Sequence, residues 1–495
     1  MGLLIDKEEF EEQDFADFAD RLQQSLTILH ELLSRPGFGE GPLTLGAELE
    51  LPIIDKAGLA FPINRSLLAQ SANSSLQLEL NRFNIEYNAT PVPLIGSPFT
   101  ALHTQLTGAL QHINGLAAAQ GGRVVPIGIL PTLSEADLQS QALTDLPRYR
   151  ALSWALRHQR HTPFLVCIDG KEPLTMTCND VTMEGANTSF QLHLRVPPHE
   201  FAHLYNMAQL VTPIAVAVSA NSPIFVGHLL WDETRIALFK QAIDDRPPHE
   251  KNWNQPARVS YGNGWVREGA YELFAEAVGL FPPLMPLISD RPPMECHRRG
   301  ELPSLEELRL HQSTVWRWNR AIYDPAMGGH LRIELRALPS GPTPIDMVAN
   351  AAFLIGMILG LRAQAQHLLP IFPFDYTHRN FYRAAQAGLD AQLLWPSGTP
   401  PSPREMPLRD LARTMLPIAK QGLGEAGVDE EETDRLLNII QQRLDTGING
   451  ATWQRSMLTQ FEQGMPRTEA LAAMLERYLT YSNEGRPVTE WSQSR

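Results

Sequence analysis

The chain has 495 residues, 43% of them hydrophobic, and a formal charge of −14 at neutral pH. That length allows two to four domains of ordinary size, or one large catalytic domain with additions. The acidic balance argues against a nucleic-acid partner, and no Lys/Arg-rich run marks a membrane-surface role. Cys167, Cys178 and Cys296 are odd in number and form no CxxC pair. They speak against a disulfide framework and for a reducing, cytoplasmic compartment. The opening turns acidic at Asp6, so no signal peptide is expected. The apolar stretches 210–226 and 347–361 are interrupted by Pro213, Asn221 and Pro223, and by Asn350. Both fall short of the roughly 20 residues a membrane span needs and are expected as buried segments.

Phe15, Phe18, Leu22, Leu26, Leu29 and Leu33 recur at helical spacing. They predict an acidic amphipathic helix over 10–35, ended by Pro36-Gly37. Residues 43–54 read as a strand. Ser97-Pro98 opens a helix striped by Phe99, Leu102, Leu106, Leu110 and Ile113, and Gly121-Gly122 closes it. Residues 124–130 and 165–168 read as strands, and 199–220 and 345–369 as helices. From about 404 onward the pattern is helical: 404–423, 429–447, 451–463 and 467–482. Cys167 and Cys178 are expected as buried packing residues.

Glu48 and Glu50 fall two apart in the apolar run 43–51. In a strand both point to one face, with Leu45, Ala47, Leu49 and Leu51 on the other. Three later segments repeat this alternation. Asn84, Glu86 and Asn88 oppose Phe83, Ile85 and Tyr87, with Glu79 just upstream. Ser189, Gln191, His193 and Arg195 oppose Phe190, Leu192, Leu194 and Val196, and Pro197-Pro198 ends that strand. His330, Arg332, Glu334 and Arg336 oppose Leu331, Ile333, Leu335 and Ala337. A half-solvated antiparallel sheet produces such alternation in any one strand. Taken singly, His193 is a hydrogen-bonded structural histidine, Asn221 a helix cap and Arg235 a solvated helix residue. The set is less ordinary, because its polar faces carry glutamates, two histidines and three arginines but no lysine. Carboxylates and imidazole are metal ligands by type, and arginine suits bidentate contact with phosphate or carboxylate. Four carboxylates on one face need positive charge to coexist at neutral pH. Mg2+ with a nucleotide triphosphate meets that need.

These segments make the chain resemble glutamate–cysteine ligase family 2, the carboxylate–amine ligases related to glutamine synthetase. The resemblance rests on Gly46-Ala47-Glu48-Leu49-Glu50-Leu51, Asn84-Ile85-Glu86-Tyr87-Asn88 and Phe190-Gln191-Leu192-His193-Leu194. Ser219-Ala220-Asn221-Ser222-Pro223 with Arg235, and Ile333-Glu334-Leu335-Arg336, extend it over roughly residues 40–370. It implies an α+β fold, with a curved antiparallel sheet whose polar concave face is catalytic and whose other face carries helices. The expected organisation is an N-terminal helix over 1–40, a catalytic domain over 41–395 and a helical C-terminal region over 396–495.

The resemblance implies metal roles for Glu48, Glu50, Glu86, His193 and Glu334, with Glu79 as a further acidic ligand. It places Arg336, assisted by Arg332, at the transferred phosphate. Gln191, Arg195 and Arg336 would contact the nucleotide, and Arg235, Asn187 and Asn221 the amino-acid substrate. The implied reaction uses ATP and Mg2+, with Mn2+ as an alternative ion, and forms an amide through an acyl phosphate. A γ-glutamyl product, and with it glutathione biosynthesis, is the family's usual setting. The implied partners are a small-molecule amino acid and an amine, with no nucleic acid and no membrane; a homo-oligomer stays open. Many relatives carry a His-x-His-x-Gly strand where this chain has Gln191-Leu192-His193-Leu194-Arg195. That departure motivates one alternative, a nucleotide-binding regulatory protein with reduced turnover; a phosphotransferase of the same superfamily is another.

Overall fold

The structure, a computed structural model, describes residues 9–247 and 255–493. The expectation of no signal peptide falls on residues 1–8, outside that range. Helix α1 (Glu12–Leu33) starts with a reciprocal Glu11/Asp14 capping box, which satisfies amide groups a helix start leaves open.

Six strands build the central sheet: β1 (Thr44–Ile54), β2 (Leu76–Leu78), β3 (Asn84–Asn88), β4 (Phe190–Val196), β5 (Asn319–Asp324) and β6 (His330–Leu335). Their order is β5-β6-β4-β1-β3-β2, every neighbour is antiparallel, and the sheet curls into a half-barrel. The two-residue strands Val92–Pro93 and Arg123–Val124 also pair with β1. One face carries Leu45, Leu49, Leu51, Ile85, Phe190, Leu192, Leu194, Leu331, Ile333 and Leu335, all essentially inaccessible. That is the apolar alternation of the sequence turned toward a core.

The helices against this face include α2 (Pro98–Ala118), α3 (Phe201–Ser219) and α4 (Pro344–Leu361), which share one hydrophobic cluster with the sheet. α3 and α4 belong to helical runs, Pro198–Ser219 and Pro344–Ile371, that are longer than the apolar stretches suggested. Both runs are long and apolar enough to cross a membrane by composition, yet 94% of each apolar window is buried inside the protein. α4 lies directly on α5 (Leu408–Ala426). A Cβ on Gly422 would collide with the backbone of Gly356 and Gly360, so side-chain-free positions set this close crossing.

The C-terminal helices α6 (Glu430–Thr446), α7 (Gly450–Glu462) and α8 (Arg467–Glu484) are keyed into the same body. Glu432 in the first turn of α6 accepts the backbone N–H of Thr100 at 2.6 Å and of Phe99 at 3.3 Å, at the start of α2. Arg443 of α6 meets Asp346 of α4 at 2.7 Å with both side chains almost wholly buried. Asp346 also accepts the backbone N–H of Val488 at 3.1 Å and the Thr343 hydroxyl at 2.8 Å.

Three expectations change. Of residues 124–130, only the first pairs as a strand; Pro126 lacks an N–H to continue the ladder, and Gly128 donates instead to the Asn221 carbonyl. Residues 404–407 belong to the strand Ser402–Pro407, paired with Gln392–Ser397, and the helix begins at Leu408. Cys167 is exposed, because the hairpin strand Phe164–Ile168 buries alternate residues and Cys167 is on the outer set. Cys178 is buried as expected.

Candidate active site

The face opposite the core gathers the charged residues in register. Glu48 lies opposite Gln191 on one side and Asn88 on the other, Glu50 opposite Glu86, and His193 opposite both Gly46 and Glu334. Gly46 presents no side chain beside the His193 ring, and His193 Nε2 reaches Glu48 Oε1 at 2.9 Å. Glu334 is gripped from β5 by Arg320, with Nε and Nη2 donating at 2.7 and 3.0 Å. Arg336 follows the end of β6, and its Nη1 donates to Glu334 Oε2 at 3.0 Å and to Gln191 Oε1 at 2.5 Å. Gln191 in turn donates to Glu50 Oε1 at 2.7 Å, and the Ser189 N–H to Glu50 Oε2 at 2.7 Å.

Two groups of ligand-type atoms result. In each of Glu48–His193–Glu334 and Glu50–Glu79–Glu86, one ligand atom per residue lies within 4.8 Å of the others. The groups differ in charge. Burial alone would raise the Glu334 carboxyl, but Arg320, Arg336 and His193 outweigh it and hold it well below the usual range. For Glu48, burial is likewise outweighed, chiefly by His193. No guanidinium bonds to the second group among the described residues. Burial and the Glu79 charge push Glu50 up to about 7, against Arg336 and Arg235. Burial with Glu48 and Glu79 pushes Glu86 well above the carboxylate range. Three crowded carboxylates in need of charge are the donor chemistry of a hard divalent cation, and the first group adds one imidazole. Mg2+ and Mn2+ both fit these donors.

The charge imbalance predicts a pH effect. A raised native-state carboxyl favours folding below its unfolded value near 4.5, and that stability is lost as pH climbs through the native value. For Glu50 and Glu86 the loss falls between about pH 4.5 and 7 and above; for Glu48 and Glu334, with lowered values, it falls below about pH 4.5. In chelator, the melting temperature should therefore fall from pH 5 to pH 8, and millimolar Mg2+ should restore more of it at pH 8 than at pH 5. Differential scanning fluorimetry reads both, and a flat profile with no Mg2+ response contradicts the charge assignment.

The other candidate residues are placed as follows. Arg195 and Arg332 face each other in register one step beyond His193 and Glu334. Arg195 donates to the Glu40 carbonyl at 2.8 Å, and Arg332 pairs with Asp324 at 3.3 Å. Arg235 opens the short helix Arg235–Ala242 and is buried rather than solvated. It pairs with Glu233 at 3.0 Å and donates to the carbonyls of Ala337 and Arg336. Asn187 donates to the Glu184 carbonyl at 2.7 Å, and its side-chain oxygen is buried without a partner. Asn221 does not line the face. It is fully buried, its amide donating to the Ser340 carbonyl and Tyr478 hydroxyl and accepting from Gln454, so it ties the backbone to α7 and α8. Sequence patterning missed Arg320, Glu233 and Glu184. Arg320 shares a face with Ile322 and Asp324 on β5, alternating with the buried Asn319, Ala321 and Tyr323, a signal that period two could have found.

A model of the family described as glutamate-cysteine ligase family 2 matches residues 44–477, well past the span the sequence motifs covered. Among solved structures, the chain is similar to glutamate–cysteine ligase from Francisella tularensis in complex with AMP. The identity is 12%, the alignment covers 90% of this chain and 89% of that one, and the TM-score is 0.56. At that identity the likeness concerns the fold. A bifunctional glutathione synthetase from Pasteurella multocida aligns over 93% of this chain and 55% of its own, at 11% identity and TM-score 0.44. The ligase PafA, in complex with the prokaryotic ubiquitin-like protein Pup, aligns over 89% and 72%, at 10% identity and TM-score 0.41. A search of curated proteins returns no match.

Proposed function

The chain belongs to glutamate–cysteine ligase family 2, and from that premise we propose that it is an ATP- and divalent-metal-dependent carboxylate–amine ligase. It would activate a glutamate-like carboxylate as an acyl phosphate and pass the acyl group to an amine. One observation carries this: two three-residue ligand groups stand side by side on one rigid sheet face, linked through Gln191 and Arg336.

Glu48, His193 and Glu334 would hold one ion, and Glu50, Glu79 and Glu86 another. Bound there, divalent ions supply neutralisation of phosphate charge. Arg336 is fixed through Nη1 to Glu334 and Gln191, which leaves the rest of its fork to meet the migrating phosphoryl group. Arg332 would add a more distant positive charge. Gln191, standing where many relatives have histidine, keeps Arg336 and Glu50 aligned through one amide. In the first step a substrate carboxylate oxygen bonds to the γ-phosphorus of ATP and ADP departs. In the second, the amine nitrogen bonds to the acyl carbon, the C–O bond to phosphate breaks, and phosphate leaves with the electron pair. The amine's protons pass to phosphate and solvent.

Purified protein with Mg2+ and ATP should release ADP and phosphate only when an amino acid and an amine are both supplied. Mass spectrometry should then show an amide. A phosphorylated product would instead establish a phosphotransferase. Nucleotide binding without turnover across a broad panel would establish a regulatory protein.

A further inference from the structure

Arg336 carries much of the proposed chemistry, and its backbone lies just past the end of β6, which stops at Leu335. Beyond that point the sheet ladder no longer pairs the main chain, so its polar groups must find partners elsewhere. The Arg336 N–H donates to the Trp318 carbonyl at 2.9 Å. The carbonyls are met by a single guanidinium. Arg235 Nη1 donates to the Ala337 carbonyl at 3.2 Å, and Nη2 stands 3.5 Å from the Arg336 carbonyl.

Arg235 is itself held in place. Glu233 Oε1 accepts Arg235 Nη1 at 3.0 Å and the Ser222 hydroxyl at 2.7 Å, while Oε2 accepts the Asn221 N–H at 3.0 Å. Glu233 is wholly buried and Arg235 is 2% exposed. Arg235 Nε is also shut away from solvent. A Cβ on Gly128 would come within 3.1 Å of Arg235 Cδ, so a missing side chain leaves room for the arginine stem. A substrate carboxylate docking on this fork would have to displace Glu233, which three donors fix in a space without solvent access. Glu233 therefore fills, from within the chain, the place such a ligand would take.

Resting on the ligase reading, we propose that Arg235 is a positioning residue that does not meet the substrate. Paired with Glu233, it anchors the backbone at 336–337 and so sets how the Arg336 fork meets the migrating phosphoryl group. The Arg336 side chain is tied through Nη1 to Glu334 and Gln191, so main-chain and side-chain restraints converge on one residue. Such support from behind a site fixes geometry that the reacting group alone does not keep.

The test compares full-length wild type, Arg235→Lys, Glu233→Gln, Arg336→Gln and the double variant Arg235→Lys with Arg336→Gln. Each is assayed for amide formation with Mg2+, ATP and both substrates, with melting in chelator as the folding control. Lysine keeps a positive charge beside Glu233 but cannot span two carbonyls. Arg235→Lys should lower kcat by about 10–100-fold, the cost of misplacing a group by about 1 Å, and leave KM for the carboxylate substrate within about twofold. Glu233→Gln should lower kcat in the same way, with KM equally unmoved. In the Arg336→Gln background, Arg235→Lys should cost less than about twofold more, because nothing is left for it to align. A KM raised about tenfold by Arg235→Lys, or losses that multiply in the double variant, would show direct contact with substrate and overturn the proposal. Near-normal kcat in both single variants would overturn it too. If both lose cooperative melting instead, the pair serves only the fold, and the proposal falls. A wild type that forms no amide from any substrate pair removes the ligase reading itself, whereas an active wild type with multiplying losses removes this inference alone.

Discussion

Glu50→Gln is expected to lower Mg2+-dependent turnover at least about 10²-fold while leaving the metal-free protein as stable as before, or more so. The activity loss follows from charge. Glu50 is one of three carboxylates offered to a single ion, and it connects through Gln191 to Arg336. A neutral amide there weakens the ion and misaligns the arginine, and losses of this kind in charge-stabilising sites reach about 10²–10³ in kcat. The stability effect comes from two opposing terms. Glutamine keeps only one of the two bonds that Glu50 accepts from Ser189 and Gln191, at a cost of about 1 kcal/mol. Against this, at pH 8 it removes a carboxylate pushed up to about 7, worth on the order of 2–3 kcal/mol. Steady-state turnover with Mg2+, and melting in chelator, check the two halves separately. Glu48→Gln should match the activity loss but not the stability gain, because it breaks the 2.9 Å contact with His193. Near-normal turnover in both variants would return the pair to an ordinary solvated strand face.

Asp346→Ala should be the most damaging single change away from the charged face, at about 3–5 kcal/mol. It strands Arg443 in the core, where the guanidinium otherwise meets Asp346 at 2.7 Å, and an unpaired buried charge costs that much. It also removes the acceptor for the N–H of Val488 and the hydroxyl of Thr343. The double variant Asp346→Ala with Arg443→Met should recover most of the loss, since removing both charges can be close to neutral. Thermal or denaturant unfolding of the three proteins decides it. A double variant no better than Asp346→Ala alone would mean that the Val488 and Thr343 contacts carry the stability, not the ion pair.

The sheet face was legible in the sequence because strand geometry is simple. Period two placed Glu48, Glu50, Glu86, Gln191, His193 and Glu334 on polar faces of their strands, and the register sets those strands side by side. The rest depends on contacts that no local pattern carries. Glu184 sits in a one-turn segment without periodicity, and its position depends on asparagines about 100 residues upstream. Asn221 stands in a motif-like stretch, yet its amide is spent on Tyr478 and Gln454, far along the chain. The strand at 402–407 escaped because it is polar and proline-bearing, and its partner at 392–397 is needed to define it. The region that matches the family model runs to residue 477, beyond the last motif the sequence offered, at residues 333–336.

The long-range clasp at Asp346 bears on how the molecule is made. A ribosome delivers β1 early, but its partner β4 arrives about 140 residues later, a wait on the order of ten seconds at ordinary elongation rates. The apolar helix α4 then emerges with an unneutralised Asp346, and must wait 97 residues more for Arg443 and 142 for Val488. Until β4 arrives the growing chain carries an open strand edge, and from α4 onward a core helix whose buried carboxylate still lacks its partner. Such nascent surfaces invite aggregation, so the yield of this protein in a cell should depend on translation speed and chaperone supply more than on its final stability.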